Sequence, residues 1–590
     1  MCGIVGFVGS KPAAPITLKA ISRLEYRGYD SAGMVSICNG KIHYQKDVGR
    51  VADVQRKHRL DRLPGDVALG HVRWATHGRA TQQNAHPHFD CKEQVAIVHN
   101  GIIENYQELR SELAEKHRFV SEADTEVVCH LIEDYIERGE TLEGALAAAA
   151  RHLQGAYAIA AVSCLEPDKI VATAKDVPLV VGLNGDCYFV ASDVLSISES
   201  ASEVVFLEES EIACLTKAGV TFFDRHGEKI AKEAQSVDWR WEDGETEGHD
   251  CFMSKEIQEE PKAIVRATMQ DIEHIIGLAD EMRKAKQVLL TACGSSYHAA
   301  LLGKYLLSKI GGRLCDVVTA SEFQYFTECI PADALVIAVS QSGETADVID
   351  AVKRAKAKGA RVLSLVNVVG SMLTRISDEV IYMNCGPEVC VAATKSFVAQ
   401  VTVFNLLAYA LAGRLEEGLR ALHQVARQIQ GSIERNDAKL RELAQRTLTS
   451  GSFFYIARGP NLAVAAEGAL KLKEISYVHA ECIPAGELKH GTLALVEEGT
   501  PVIAVCPRDD TFSQTMSNVI ETKARGGFVI GLSDEDNEAF DVWVEVPQVT
   551  DDFHPLAAVL PLHLLAHHVA VARGKNPDRP RNLAKSVTVR

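Results

Sequence analysis

A chain of 590 residues is too long for one hydrophobic core, so we expect about three to five domains. The hydrophobic fraction of 47% and the charged fraction of 24% are typical of globular proteins in water. The formal net charge of −17, with dispersed lysines and arginines, excludes nucleic acid as the main partner, because phosphate binding needs a clustered basic face.

The chain shows no signal for export and no membrane span. The N-terminus has no basic stretch ahead of an apolar one, and the longest apolar segment, Phe397–Ala412, is short and interrupted by Gln400 and Asn405. We predict a buried helix there and no membrane partner. The fifteen cysteines form no regular framework and no CxxC pair, so we predict free thiols, a cytoplasmic protein and no zinc site.

The first 240 residues predict an α+β layered domain, because short β-rich runs alternate with two amphipathic segments. The polar stretch Asp238–Asp250 follows, and we assign 241–275 to a linker. The predicted strands are Ile4–Val8, Val95–His99, Tyr157–Val162 and Ile170–Ala174, and the predicted helices are Glu104–His117 and Asp124–Arg138.

The remainder of the chain contains a repeat with an offset of about 165 positions. Apolar strands alternate with helical segments in both copies, which predicts two α/β domains with parallel sheets covered by helices. We place them at 276–425 and 445–578, followed by a tail at 579–590. The matching segments are Val288–Gly294 with Phe453–Gly459, Val336–Ser340 with Val502–Cys506, and Lys358–Leu363 with Arg525–Ile530.

Two serine-rich loops follow neighbouring strands of the first repeat. Ligands bind at the carboxyl ends of the strands in such sheets, and hydroxyls beside helix N-termini suit a phosphate. No Walker lysine accompanies them, which disfavours a nucleotide. The alternative is that these side chains only cap helices. The residues are Ser295 and Ser296 in the first loop and Ser340, Gln341, Ser342 and Thr345 in the second.

Cys2 is a candidate nucleophile. If Met1 is removed, Cys2 carries both a thiol and an α-amine that titrates near ~7.7 to 8, so that the nucleophile and its base share one residue. Position alone favours the alternative that Cys2 is one free thiol among fifteen.

Further motifs across the first domain resemble the N-terminal nucleophile glutamine amidotransferases, whose fold has antiparallel sheets between helices. The resemblance implies that Cys2 attacks the glutamine amide and that Asn100 and the Gly101 N–H form the oxyanion hole. It also implies glutamine-binding roles for Arg73, Thr76, His77 and Asp124, and a channel gate at Trp74. The motifs are Cys2–Gly6, Tyr26–Gly33, His71–Gly78, His99–Gly101 and Asp124.

The segment Glu467–Glu474 would place Glu467, Lys471 and Glu474 on one face of a helix. For an isolated helix this pattern predicts a solvated ladder of ion pairs. His563, His567 and His568 have helical spacing, but no carboxylate motif accompanies them, so we expect ordinary helix positions and no metal.

The two repeats resemble the sugar isomerase (SIS) domain family, and the resemblance places that face at the sugar site. It implies that Glu474 moves the proton between C1 and C2 and that Lys585 forms a Schiff base with the sugar ketone. His490 would open the sugar ring of the neighbouring subunit, which implies a homodimer. The motifs are Lys255–Ile257, Val391–Lys395, Glu467–Glu474, Gly486–Gly491 and Pro580–Val589.

The resemblance also implies that the serine-rich loops, with Val391 and Ala584 through their backbones, hold the sugar phosphate. The two families together imply transfer of the glutamine amide nitrogen to fructose 6-phosphate, isomerisation to glucosamine 6-phosphate, an internal ammonia channel and no metal or organic cofactor. The rivals are an amidotransferase or deglycase acting on another ketose phosphate, and a sugar-phosphate-sensing regulator with decayed catalysis.

Overall fold

The computed structural model describes residues 2–75, 77–236, 246 and 248–587. The chain divides into two compact units, Met1–Gly244 with Ser586–Arg590, and Glu245–Lys585. The helices of the first unit are α1 (Ala13–Arg23), α2 (Val51–His58), α3 (Tyr106–Leu113), α4 (Glu126–Glu137), α5 (Leu142–Ala150) and α6 (Val194–Ile197). Its strands are β1 (Gly3–Val8), β2 (Ser31–Cys38), β3 (Lys41–Val48), β4 (Val67–Arg73), β5 (His88–Phe89), β6 (Val95–Gly101), β7 (Tyr157–Ser163), β8 (Glu166–Lys175), β9 (Val180–Asn184), β10 (Cys187–Ala191), β11 (Glu203–Phe206), β12 (Ile212–Thr216), β13 (Gly219–Phe223), β14 (Lys229–Ile230) and β15 (Gln235–Ser236).

Two antiparallel sheets pack face to face in this unit, with helices outside them. One has eight strands in the order β15-β11-β9-β10-β1-β4-β2-β3, and the other has seven in the order β14-β13-β12-β8-β7-β6-β5. In β1, Ile4 and Val8 face the other sheet, whereas Val5 and Phe7 pack against the outer helices. Both faces of β1 are buried, which explains its uninterrupted apolar sequence. The predicted α+β layered fold is confirmed.

The second unit contains two parallel sheets of five strands each. Its helices are α7 (Phe252–Gln258), α8 (Glu260–Ala267), α9 (Ile272–Lys284), α10 (Gly294–Lys309), α11 (Ala346–Ala357), α12 (Met372–Ile376), α13 (Lys395–Leu411), α14 (Leu415–Arg446), α15 (Asn461–Ser476), α16 (Phe512–Lys523) and α17 (His554–Ala572). Its strands are β16 (Val288–Ala292), β17 (Asp316–Thr319), β18 (Leu335–Ser340), β19 (Arg361–Val366), β20 (Glu379–Tyr382), β21 (Ser452–Ala457), β22 (His479–Pro484), β23 (Pro501–Val505), β24 (Phe528–Ser533) and β25 (Val542–Glu545).

The two sheets have the same topology, β17-β16-β18-β19-β20 and β22-β21-β23-β24-β25. Leu290 pairs with Ile337 in the first, and Tyr455 pairs with Ile503 in the second. The duplication inferred from the sequence is therefore present in the fold. Every pairing in both sheets is parallel, so the carboxyl ends of β16 and β18 meet at one edge.

Helices that lie outside the sheets complete the second unit. The segment assigned above to a linker forms α7, α8 and the start of α9, and Met253, Ile257 and Ile264 are buried in the core. All residues of α13 are buried, as predicted for the apolar segment. The helix Asp551–Ala572 is long and apolar enough to cross a bilayer, but 89% of its apolar window is buried, as in the core helix of a globular protein.

Candidate active site

Cys2 lies immediately before β1, one of the central strands of its sheet. Its Sγ is 3.4 Å from the Trp74 amide nitrogen and 3.5 Å from the Trp74 carbonyl oxygen, and Arg27 Nε donates to its carbonyl oxygen at 3.2 Å. Burial raises the pKa of the Cys2 thiol, which the Trp74 N–H and Arg73 oppose. A thiol in this environment needs a base close by.

The Asn100 side chain is held in one orientation. Its Nδ2 donates to Ser192 Oγ at 2.7 Å, and Ser192 Oγ also accepts from the Ile4 amide at 2.8 Å, two residues from Cys2. His71 Nε2 is 2.9 Å from the His99 carbonyl oxygen and 3.1 Å from Asn100 Oδ1, so Nε2 carries the hydrogen. Burial lowers the pKa of His71 to about 3, so the ring is neutral. One N–H of the Asn100 amide is left for a ligand.

Gly101 follows Asn100 at the end of β6 with a φ of +113°. A Cβ at this position would lie 2.0 Å from the Ala156 carbonyl oxygen, so only glycine fits here.

Arg73, Asp124 and Cys2 lie close enough to interact electrostatically. Burial lowers the pKa of the Arg73 guanidinium, while the charges of Cys2 and Asp124 oppose that change. Arg73 donates to the carbonyl oxygens of Gly78 at 3.3 Å and Arg79 at 3.4 Å, and to that of His77. Asp124 accepts from the Ile103 amide at 2.9 Å.

Two further predicted residues make ring contacts in this unit. Trp74 packs edge-on against Tyr29 with ring centroids 5.4 Å apart, and His77 packs edge-on against Tyr106 at 5.3 Å. Thr76 lies outside the described residues.

A cluster of buried histidines supports the site, and sequence reasoning missed it. His86 stacks on His71 with centroids 4.0 Å apart, and His99 Nδ1 lies 2.9 Å from Thr125 Oγ1, the neighbour of Asp124. Burial lowers the pKa of His86 and of His88 well below the usual range, so both rings are neutral. The sequence His86-Pro87-His88 was the available signal.

In the second unit, the two serine-rich loops lie at the edge where β16 and β18 end. Ser340 Oγ is 3.1 Å from Thr345 Oγ1 and accepts from the Gly343 amide at 3.1 Å. Gly343 has a φ of +67°, and a Cβ there would lie 2.0 Å from Ser371 Oγ. Ser295 and Ser296, predicted to lie in a loop, are in the first turn of α10, whereas the second loop leads into α11. Hydroxyls and N-terminal amides therefore gather at this edge, as an anion site requires.

Glu467, Lys471 and Glu474 share one face of α15, but that face is not solvated. The Lys471 side chain is 1% exposed and its Nζ lies 3.5 Å from Glu467 Oε1 and in contact with Glu474 Oε2. Although burial acts to raise it, Lys471 and His298 bring the pKa of Glu467 down to about 2. The predicted solvated ladder of ion pairs is therefore a buried network of charged side chains.

Glu467 also joins the second repeat to the start of α10 in the first repeat. It accepts from Ser295 Oγ at 2.8 Å and contacts His298 Nδ1 at 2.9 Å. Gln400 Nε2 donates to Ser296 Oγ at 2.9 Å, so both serines are engaged. Glu467 and the start of α10 thus form one site within the second unit.

Lys585 is buried, although it lies near the end of the chain. Its side chain is 4% exposed and its Nζ forms an ion pair with Glu388. Glu388, which the sequence reasoning missed, also accepts from the amides of Thr394 and Ser396 at 3.0 Å each. Despite burial, Lys585 and these donors bring the pKa of Glu388 down to about 2. The Val391 amide donates to the Asp578 carbonyl at 3.1 Å and so ties this loop to the tail.

Glu256 interacts electrostatically with that ion pair, and its pKa is shifted in the opposite direction from that of Glu388. Burial and the charge of Glu388 raise the pKa of Glu256 to about 8. Its Oε1 accepts from the amides of Val389 at 2.5 Å and Cys390 at 3.2 Å, whereas its buried Oε2 has no hydrogen-bond partner among the described residues.

We expect Glu256→Gln to remove a pH-dependent loss of stability. Because the pKa is higher in the folded chain, the stability from protonated Glu256 is complete below about pH 4.5 and is lost as the pH rises toward about 8. The variant should exceed the wild type in unfolding free energy at pH 9 by on the order of a few kcal/mol, and by less at pH 5. Denaturant unfolding checks this, with exposed Glu481→Gln as the control. An equal loss between pH 5 and pH 9 in variant and wild type would contradict it.

The remaining candidate positions differ from these. His490 is exposed at the end of a 3-10 helix, Ala485–His490. The trio on α17 does not converge, because His563 contacts Glu260 at 2.6 Å, His567 contacts Cys251 at 3.3 Å and His568 contacts Asp437 at 2.8 Å. In the second repeat, Arg458-Gly459-Pro460 follows β21, so that Pro460 and Asn461 stand where the first repeat has Ser295 and Ser296.

Comparison with known proteins matches both units. The family described as glutamine amidotransferase domain matches residues 71–199, and the family described as SIS domain matches 281–410 and 449–541. The C-terminal domain of glucosamine-fructose-6-phosphate aminotransferase from Francisella tularensis has a TM-score of 0.53 at 31% identity, covering 57% of this chain and 100% of that one.

Two curated relatives match along their whole length. Isomerizing glutamine–fructose-6-phosphate aminotransferases from Methanothermobacter thermautotrophicus and Thermococcus kodakarensis are 46% and 45% identical, with 100% of each chain covered. At this identity and coverage, the chain belongs to the isomerizing glutamine–fructose-6-phosphate aminotransferase family.

Proposed function

We propose that this chain transfers the amide nitrogen of glutamine to fructose 6-phosphate and isomerises the product to glucosamine 6-phosphate, releasing glutamate. The burial of Lys585 beside Glu388 supports this function most directly, because a structural tail lysine would be solvated. The full-length match to relatives of this name supports it as well.

In the first half-reaction, the Cys2 thiolate attacks the glutamine amide after its proton passes to the α-amine. Asn100 Nδ2 and the Gly101 amide stabilise the oxyanion, and the thioester forms as the amide nitrogen takes up that proton and leaves as ammonia. Water then hydrolyses the thioester, which releases glutamate and restores the Cys2 thiol. Donors of this kind are worth about 2.7 to 4 kcal/mol each. Arg73 binds the substrate carboxylate and Asp124 its ammonium, with Thr76 and His77 beside them. Trp74 is the gate that keeps ammonia from bulk water, where it would be protonated.

In the second half-reaction, Lys585 Nζ first gives a proton to the paired Glu388 carboxylate. The neutral amine then attacks the ketone carbon of the open-chain sugar and water leaves, which gives a Schiff base. Ammonia then replaces the lysine at C2. Glu474 takes a proton from C1 and returns it to C2, which requires its carboxyl to reach both carbons. The loop residues Ser295, Ser296, Ser340, Gln341, Ser342 and Thr345 hold the phosphate and hydroxyls, together with the backbones of Val391 and Ala584.

A coupled product assay tests this function. Glutamate and glucosamine 6-phosphate should form in equal amounts from glutamine and fructose 6-phosphate. Glutamate without the sugar product would instead favour another ketose phosphate as the acceptor. Titration calorimetry should also find one fructose 6-phosphate site per chain, because the loops after β21 and β23, Arg458-Gly459-Pro460 and Cys506-Pro507-Arg508, are not serine-rich like those of the first repeat. Two equivalent sites would contradict that assignment.

We further propose a homodimer in which the exposed His490 acts at the sugar site of the other subunit. Mixing His490→Ala chains with Lys585→Ala chains should then restore activity, because each mixed dimer contains one intact site. Random pairing predicts about a quarter of wild-type activity from two variants that are inactive alone. Mixtures that stay inactive after subunit exchange, shown by mass-tagged chains, would mean that His490 acts within its own chain.

All fifteen cysteines are free thiols. This fits the proposed cytoplasmic location, since disulfides are rare in reducing compartments.

A further inference from the structure

In the first unit, four side chains with metal-binding atoms come together at helix α4 and the segments beside it. Cys91 lies in the turn after β5, His117 lies between α3 and α4, and His130 and Glu133 lie on α4. One ligand atom from each lies within 4.8 Å of all the others. The proposed function uses none of these residues.

The distances match the edges of a tetrahedron around one ion. Cys91 Sγ is 3.5 Å from His117 Nδ1 and 3.7 Å from His130 Nδ1. Glu133 Oε2 is 3.0 Å from His117 Nδ1 and 3.2 Å from His130 Nδ1. A tetrahedral Zn²⁺, with bonds of about 2.3 Å to sulfur and about 2.0 to 2.1 Å to nitrogen and oxygen, separates S from N by about 3.5 Å and N from O by about 3.3 Å.

The hydrogen bonds of His117 favour a cation at the centre of this cluster. Its Nε2 is 3.2 Å from Asp134 Oδ1, and a carboxylate only accepts, so Nε2 carries the hydrogen. In a neutral ring, Nδ1 then carries a lone pair and no hydrogen, and it faces Glu133 Oε2 at 3.0 Å. Two acceptors in this position repel unless the ring is doubly protonated or a cation lies between them.

The surroundings resemble the outer shell of a zinc site. A ligating histidine commonly donates its other nitrogen to a carboxylate, and Asp134 provides one for His117. His130 Nε2 is buried without a hydrogen bond among the described residues, with Glu126 Oε1 3.8 Å away. The Arg118 amide donates to Cys91 Sγ at 3.4 Å, as amides do to metal-bound thiolates. The exposed position of Cys91 leaves a path for the ion to enter.

We infer that Cys91, His117, His130 and Glu133 form a structural Zn²⁺ site. On binding, the Cys91 thiol gives its proton to solvent and both histidines bind as neutral rings through Nδ1. Thiolate, imidazole and carboxylate in a tetrahedral set suit zinc better than magnesium or calcium, which prefer oxygen ligands alone. The absence of CxxC led the sequence reasoning to expect no such site, because 26 residues separate Cys91 from His117.

The site would fix the segment that carries Asp124. That segment runs from His117 to His130, and Glu126 within it accepts from the amides of Val120 at 2.7 Å and Ser121 at 2.8 Å. A zinc ion bound at both ends of the segment restricts its motion. The effect on glutamine binding rests on the proposed function, whereas zinc binding itself does not.

Metal content and cobalt spectroscopy of the full chain test this site. The wild type should contain one zinc per chain, and after chelation Co²⁺ should give the intense visible bands of a tetrahedral site and a thiolate charge-transfer band. Cys91→Ser, at an exposed position, should lose the charge-transfer band. Its zinc affinity should weaken by at least about 100-fold, since losing an outer-shell partner alone costs about 10 to 100-fold. Cys164→Ser, in the β7–β8 turn of the same unit, is the matched control.

Zinc should also raise the unfolding temperature of the wild type and of Cys164→Ser, but not that of Cys91→Ser. A chain that binds less than a tenth of an equivalent of zinc at micromolar concentrations, or a Cys91→Ser variant that keeps the charge-transfer band, would overturn the inference. If zinc binds but its removal leaves the KM for glutamine unchanged, the ion does not position Asp124. Failure of the proposed function would appear separately, as loss of product in a zinc-loaded chain.

Discussion

Replacing Lys585 with alanine should abolish glucosamine 6-phosphate formation while glutamine hydrolysis continues. Removal of a covalent nucleophile costs about 10⁶-fold in a well-studied protease, so we expect a loss of at least about 10³-fold here. Glutamate release depends on Cys2 in the first unit and should fall far less. The measurement is the rate of each product from glutamine and fructose 6-phosphate, with the exposed Lys575→Ala as the control.

A second variant separates chemistry from stability. Lys585→Ala leaves the buried Glu388 without its cation, and breaking a buried pair costs about 3 to 5 kcal/mol. Lys585→Arg keeps a positive charge beside Glu388 but cannot act as a neutral amine, because a guanidinium stays protonated. It should retain the wild-type unfolding temperature more closely and still lose the sugar product. An active Lys585→Arg variant would contradict the Schiff-base role.

The fold could be predicted from the sequence because the patterns that indicate it are short-range or occur twice. The buried run of β1 and the alternation of apolar strands with helices in the second unit can be read from a few residues each. The offset between the repeats appears again as the same strand order in two sheets. The family motifs supplied candidate side chains such as Asn100, and they moved Lys471 from the solvated face that periodicity alone predicts to the sugar site.

Contacts between residues far apart in the sequence could not be predicted in this way. The ion pair between Glu388 and Lys585 joins positions 197 residues apart, and Ser192 orients Asn100 across 92 residues. The isolated-helix reading of α15 fails because that helix packs against α10 and α17, which buries Lys471. Burial of a charged side chain depends on which other elements pack over it. The sequence of a single segment does not show which elements those are.

Replacing Cys2 with alanine should stop glutamine hydrolysis and leave the sugar site intact. The partly buried Cys2 thiol contacts the amide nitrogen and the carbonyl oxygen of Trp74, and Ser192 orients the Asn100 side chain. In the variant, a water molecule would have to replace the thiolate, and water is a much weaker nucleophile. We expect glutamate release to fall by at least about 10³-fold, whereas Asn100→Ala, which removes one oxyanion donor, should cost about 10² to 10³-fold. Cys38→Ser, a partly buried thiol of the same unit, should retain activity.

Two measurements complete the test of Cys2. Mass spectrometry of the purified wild type should find a chain that begins at Cys2, because the proposed base is the α-amine of that residue. Calorimetry should find the same fructose 6-phosphate affinity in Cys2→Ala and wild type, since Lys585 and the serine-rich loops are unchanged. Glutamate release that persists in Cys2→Ala would mean that another group hydrolyses glutamine. Retention of Met1 in an active chain would mean that the base is not the Cys2 amine, because that nitrogen would then be an amide without basicity.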